Sequence, residues 1–476
     1  MPRRGESERL AAGPRAAKDR LVTREEIDVV VRLAGLIAVV LATSVAAQYP
    51  PGAQSSSNVR VLGHLPLGAS ETIADIEMEQ ELSRPYVYVD RRTVPSGFHI
   101  ISIKDPTQPR IIYTWWIENP ELHQGSGSLA PTYLKSRGRY YFVNGFQFRQ
   151  GGPDVDLGAI VFDVTGLPDT STVREVARIR VPDAPGGFHE TFSYKHSTGP
   201  ALVVATTTAG PAHVYDIDQV VAGGPNGGLV GRIPVPETPG GLSKSYHDFY
   251  LGYDPATRQD RFYGAGGGGY YVFDITRLEE PRLLTTITGV AGMNWGHTFT
   301  PTPDGRYAVG ETEYQYQPLR IFDLKPGLDG SVKNISRPIG AWHADWKNLA
   351  HNHEVRWPYV FVSGYEDGLH IFNMMDPTNP YTVGYYDTFD GPHNKGPDRA
   401  TGNFTWGIYQ GAWGVDVRNA DGVIVISDLT TGFWALKLDG FDGWNGHQWG
   451  MPNNSSAQDW DNGPDGAPRP ARVSSR

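Results

Sequence analysis

GLHIFNMMDPTNP, residues 368–380, decides the fold. It opens on glycine, runs through a short strand-forming stretch and ends in a turn rich in Asp, Pro and Asn. The same phrase recurs as GFHIISIKDPTQP (97–109), GAIVFDVTGLP (158–168), AHVYDID (212–218), GYYVFDITRLEEP (269–281), PLRIFDL (318–324) and GFWALKLDG (432–440). In chain order, successive copies start 61, 54, 57, 49, 50 and 64 residues apart. A period near 50 with no helical pattern between copies is the signature of a β-propeller.

Each phrase has strand-forming neighbours. Two runs precede it, such as GRYAVGE (305–311) or PYVFVSG (358–364), and one follows, such as RLLTTIT (282–288) or TVGYYDT (382–388). Four strands make one blade. The seventh phrase has no following strand, and the missing one sits at the other end as VRVLGHLPL (59–67). The sequence therefore predicts an all-β, seven-bladed propeller over 59–441, closed by an N-terminal strand that completes the last blade and hides two exposed edges. Residues 48–58 read as a linker, and the Gly/Asn/Asp/Pro-rich 442–476 as a disordered tail.

Composition agrees. Hydrophobic residues make up 39% and aromatics 11%, with 57 Gly and 37 Pro, which suits many short strands joined by tight turns. Cysteine is absent, so disulfides, thiolate metal ligands and Cys nucleophiles are excluded. Leu33 to Ala47 (LAGLIAVVLATSVAA) follows Arg32 and ends in small residues. It reads as the apolar core and cleavage site of a signal peptide spanning 1–47, behind an unusually long n-region, one explanation for which is a translation start nearer Val29. The run is 15 residues, short of the roughly 20 that span a bilayer. The expected location is extracytoplasmic: periplasmic, secreted or cell-surface, with no membrane span after cleavage. Residues 1–47 carry eight Lys/Arg and six Asp/Glu, so their removal takes the net charge from −10 to −12. A chain that acidic is a poor partner for nucleic acid or anionic membrane.

The phrases resemble the LVIVD-repeat family, best in EDGLHIFNMMDPTNPYTVGYYDT (366–388) and GAWGVDVRNADGVIVISDLTTGFWAL (411–436). The resemblance covers most of 59–440 and implies a secreted or surface-associated propeller, without defining an activity. A weaker likeness to selenium-binding, methanethiol-oxidase-type propellers carries no extended motif, and no residues are taken over from it.

Asp163, Asp216, Asp274 and Asp323 end the recurring strand and read as turn caps. His99, His213 and His370 lie inside the same strands and read as packing residues between blades. Other histidines keep a different phase. His189, His247, His297 and His353 each open the first strand of a blade, at spacings of 58, 50 and 56 residues. First strands line a propeller's channel, so these four imidazoles are expected on one side of its mouth, on blades three to six. His351 could substitute for His353, since residues two apart share a strand face. Glu190, Asp248 and Glu354 follow three of them, and strand alternation predicts that they turn to the opposite side, as partners behind the ligands. Glu311, Glu313, Asp90-Arg91-Arg92 and Tyr365-Glu366-Asp367 lie on loops reaching the same face, with Trp295, Trp406 and Trp413 near the rim.

Converging imidazoles suit one transition metal, Cu, Zn, Ni or Fe. Three functions follow as alternatives: a metal-dependent oxidoreductase or hydrolase acting on a small molecule; a non-enzymatic module binding a cell-surface protein or polysaccharide; or a lactonase-like hydrolase using Glu311, Glu313 and Asp248 around Ca or Mg. A ring of histidines hydrogen-bonded for closure alone is the structural alternative. The glycine run 266–269 precedes no helix, and neither HExxH nor GxSxG occurs.

Overall fold

The computed structural model describes residues 54–464, apart from gaps at 70, 94, 125–126, 149–151, 153, 209, 238–244, 346–348, 392, 394–408 and 454–456. The expected signal peptide and the first part of the linker lie outside the described residues. Among the described residues, no helix is long and apolar enough to cross a membrane.

Seven four-stranded antiparallel sheets form the blades of a propeller. Blades 1 to 6 are each built from four consecutive strands and start at Ile73, Gly127, Phe188, Tyr246, Phe299 and His353. Blade 7 takes Ala412–Val417, Val423–Asp428 and Gly432–Leu438, and Val59–Leu65 adds its outer strand, pairing Val59 with Leu438 and Leu65 with Phe433. The first strand of every blade touches the first strand of the next, and that of blade 7 returns to blade 1. These seven strands line the channel.

The alternating pattern of each strand buries one face against each neighbouring blade. The core is accordingly a set of apolar seams between adjacent blades. Phe98, Phe142, Phe146 and Phe162 fill the seam of blades 1 and 2, with Phe98 and Phe162 edge-on at 4.9 Å. Val87, Val89, Val425 and Phe433 close the seam between blades 7 and 1. Such rings each bury 150–250 Å² and favour offset or edge-on contact.

The strand-ending aspartates are turn caps. Oδ1 of Asp163, Asp216, Asp274 and Asp323 each accepts the N–H two residues on, at 3.0 Å in every case. Of the third-strand histidines, His99 and His213 bond within their own blades, to Thr114 Oγ1 at 2.8 Å and Tyr215 OH at 3.1 Å. His370 packs between blades, with Trp342 of blade 5 on one side and Tyr385 of its own blade on the other.

Two boundaries differ from expectation. The linker is structured from Ser55, which bridges to Tyr386, while Ser56 N–H donates to Tyr385 O at 3.1 Å. The tail is not free where it is described. Trp444 packs among the residues of blades 6 and 7 and donates Nε1–H to Trp357 O at 2.8 Å, and Trp460 enters the seam of blades 2 and 3. Gln458 also donates to Ser193 O at 3.2 Å. Composition marked the segment as coil, but two buried indoles supply enough apolar contact to hold it.

Deleting 54–67 should expose the Gly432–Leu438 edge and shift the size-exclusion peak of the full chain to larger species; an unchanged peak would mean that the strand is dispensable for closure. Trp444→Ala or Trp460→Ala should each lower the unfolding free energy by about 3 kcal/mol, at the low end of buried Trp truncations. Chemical denaturation reads this, and a free tail would leave it unchanged.

Candidate metal centre

The site is built at the start of the innermost strands. Gly187, at φ +77°, turns the chain into blade 3 where a Cβ would lie 2.0 Å from Phe146 O, so only glycine fits. Immediately after it the ladder slips. Phe188 pairs with Thr207, yet Thr191 pairs with Ala205, leaving His189 and Glu190 in a bulge. Blade 4 repeats this: Tyr246 pairs with Gly266 and Phe249 with Gly264, leaving His247 and Asp248. A bulge breaks strand alternation. Both members of each His–acid pair therefore line one small channel cavity, together with Asp75, His297, His351, Asn352 and Trp413. The expectation that Glu190 and Asp248 point away from their histidines is corrected by that bulge. Glu354 lies in regular pairing and does keep alternation, opposite Phe361, beside His353 opposite Val362.

Register also sorts the two histidines of blade 6. His297 N–H donates to Glu311 O, and Glu311 N–H to Thr298 O, both at 2.9 Å. His351 N–H donates to Ser363 O at 2.8 Å, and Ser363 N–H to Asn352 O at 3.0 Å. The two patterns are the same, so His351 holds the station of His297. His353 sits two residues deeper and donates Nε2–H to Val309 O at 3.2 Å. The structure therefore groups His189, His247, His297 and His351 and leaves His353 out.

The four rings follow the channel wall. Centroids are 4.3 Å apart for His189–His247, 4.2 Å for His247–His297 and 4.9 Å for His297–His351, and Trp413 lies 4.2 Å beyond His351. His189 Nε2 and His247 Nε2 stand 2.9 Å apart. Ligand atoms of His297, Glu313 and His351 all lie within 4.8 Å of one another, a group that could hold a metal ion. The cavity between the rings is about 10 Å³, room for one water-sized particle.

The far side of each ring is tied down. His351 Nδ1–H donates to Trp413 O at 2.8 Å. His297 Nδ1 lies 2.8 Å from Glu311 Oε2, and its Nε2 lies 3.6 Å from Glu313 Oε2. His189 Nδ1 is 3.2 Å from Gln147 Oε1. Glu311 accepts the N–H of Glu313, and Tyr365 OH donates to Glu313 Oε1 at 2.6 Å. Such outer partners fix ring orientation and tautomer at metal sites.

Electrostatics divide the cluster. Burial opposes a charge on His297, but Glu313, Glu311 and Asp248 outweigh it and lift its pKa to about 9. Burial lifts Glu311 to about 7 against the pull of His297. Between those values the pair is ionised without a metal, and a metal ion ligated by His297 would have to displace its proton. His247 and His351 are held well below the usual range by burial and by the charge on His297, so both stay neutral with lone pairs available.

Beneath the rings a larger cavity, about 60 Å³, is lined by Asp75, Glu77, Glu190, Asp248, Glu354 and Asp416. Burial raises Asp75 to about 7, with Asp248 and Glu354 adding repulsion, and burial likewise raises Asp416 to about 7 and Asp248 to about 6. Glu354 faces Arg356, fully buried, at 2.6 Å and accepts from Tyr250 OH across the channel at 3.1 Å. The sequence reading missed Asp75, Glu77, Asn352 and Asp416. Asp75 sits at the same bulge in blade 1, between Ile73 and Ile76, but no histidine precedes it to mark the station.

Trp295 stands edge-on to His247 at 5.8 Å, and Trp406 lies outside the described residues. No protein-family model matches the chain, and no similar sequence is found among curated proteins.

A carboxyl whose folded pKa is raised binds its proton more tightly in the native state. Its stabilising contribution is complete below the unfolded value near 4 and is lost as pH climbs to about 7. Asp75→Asn mimics the protonated form. Its stability relative to wild type should therefore improve between pH 4 and pH 8, by on the order of 4 kcal/mol. Thermal melts at the two pH values test this, and a constant offset would contradict the buried-acid assignment.

Proposed function

We propose that the channel mouth is a mononuclear transition-metal centre held by His189, His247, His297 and His351, with Glu313 as a fifth donor. The convergence of His297, Glu313 and His351 ligand atoms within 4.8 Å carries this reading. The close approach of His189 Nε2 and His247 Nε2 supports it: both atoms can lie about 2.1 Å from one ion. Nitrogen-rich donors without sulfur suit Zn, Cu, Ni or Fe, and set the centre apart from the all-oxygen sites of Ca and Mg. An ion here would act as a Lewis acid or redox centre on a small molecule at the mouth. The chain's own residues orient the rings through Trp413 O, Glu311 and Gln147. The apolar core segment at 33–47 and the LVIVD-like phrases support an exported protein, and the acidic charge supports small-molecule rather than nucleic-acid partners.

Protein purified without a polyhistidine tag should carry, or take up on titration, one equivalent of transition metal. His297→Ala combined with His351→Ala should abolish uptake by elemental analysis, whereas His353→Ala should retain it. Equal loss in His353→Ala, or no uptake of Zn, Cu, Ni or Fe by wild type, would refute the assignment.

A further inference from the structure

We infer that Arg92 is the substrate-anchoring residue of this mouth and that the small molecule taken there carries one carboxylate group. The inference rests on the metal reading for what lies beside the anchor, but its own observations concern Arg92.

Arg92 follows the second strand of blade 1, Tyr86–Arg91, and its N–H is fixed to Thr72 O at 3.1 Å. Its guanidinium lies over the Trp413 ring in a cation–π contact, Cζ 5.0 Å from the ring centroid. Trp413 in turn lies 4.2 Å from His351, and the Arg92 charge is felt at that histidine. Arg92 is thus one aromatic ring away from the His cluster and partly exposed.

What sets it apart is its lack of an acidic partner. Among the described residues no carboxylate pairs with Arg92, although the channel is rich in them. The neighbouring cations are committed. Arg91 Nη1 donates to Leu67 O at 2.8 Å and lies 3.3 Å from His99 Nε2. Arg356 is consumed by Glu354, Asn419 and Val417 O. A guanidinium carries an N–H fork that grips a carboxylate with two parallel hydrogen bonds, and the cation–π contact with Trp413 restrains Arg92, so less side-chain freedom is lost on binding.

The channel below selects the charge of the ligand. Asp75, Glu190 and Asp248 line the cavity with the His cluster. As these acids ionise with rising pH, a phosphate dianion meets twice the repulsion that a carboxylate meets from the same groups. A single carboxylate on an otherwise neutral body is the anion that fits, its body lying against Trp413 and the metal side of the mouth.

Benzoate is a suitable probe, with benzamide and inorganic phosphate as comparisons, titrated calorimetrically into the full chain in zinc-loaded and metal-free forms. Benzoate should bind zinc-loaded wild type more tightly than either comparison. Arg92→Gln should weaken it at least fivefold without changing zinc uptake, and Arg92→Lys should fall between the two, keeping the charge but losing the fork. A loss below fivefold in Arg92→Gln, or phosphate or benzamide binding as tightly as benzoate, overturns the inference. Zinc uptake is measured first by elemental analysis. A chain that takes no zinc overturns the metal reading alone, and the same fivefold criterion is then applied to the metal-free protein. Unchanged thermal melts of both Arg92 variants exclude misfolding as the cause of a loss.

Discussion

Ring closure is the constraint on which everything else depends. A propeller blade has apolar residues on both faces and needs a neighbour on each side. Seven blades satisfy one another only if the last meets the first. Here blade 7 is completed by Val59–Leu65, hydrogen-bonded to Gly432–Leu438, so both ends of the chain are needed for the final seam. The tail reinforces this arrangement through Trp444 and Trp460, placed on different seams. Closure also fixes the seven innermost strands against one another, and that gives the channel wall enough rigidity to hold side chains from four blades in register.

Much of the fold was legible because the propeller repeats. A phrase of glycine, strand and turn recurring at near-constant spacing identifies the third strand of each blade without help from any relative. The strand pairing of Val59–Leu65 was legible for the same reason, as the one missing member of a counted set. The tail was misread because composition measures average polarity, while two indoles in a polar segment are enough to dock it.

The site was legible in part. The in-phase histidines announced a cluster on blades 3 to 6, and His189, His247 and His297 are in it. The choice between His351 and His353 was not legible, since both spacings fit a variable repeat. It is decided by backbone register, where His351 shares the pairing pattern of His297. The bulges at His189-Glu190 and His247-Asp248 were equally hidden. They leave no residue signature, yet they turn each acid onto the same wall as its histidine and so make the channel acidic as well as imidazole-lined. The acid set then supplies the field that holds His297 charged while burial keeps His247 and His351 neutral.

Three of the cluster histidines are tied down through one ring nitrogen. Some buried histidines outside the cluster satisfy both ring nitrogens with fixed partners. His123 does so, with Glu118 O at 2.6 Å and Asp154 Oδ2 at 2.9 Å, and so does His196, with Thr198 Oγ1 at 2.8 Å and Ile275 O at 3.1 Å. In the cluster the pattern is one-sided. Nδ1 of His351, His297 and His189 is tied to Trp413 O, Glu311 and Gln147, while Nε2 of His189 faces His247 and Nε2 of His297 faces Glu313. The distribution round the ring is one-sided too: Ala74 and Leu129 hold the equivalent stations in blades 1 and 2, and Trp413 occupies the bulge in blade 7. Closure alone gives no reason to confine imidazoles to one arc. The four imidazoles thus occupy one arc of the channel wall, with Arg92, which pairs with no carboxylate among the described residues, over Trp413 at its edge.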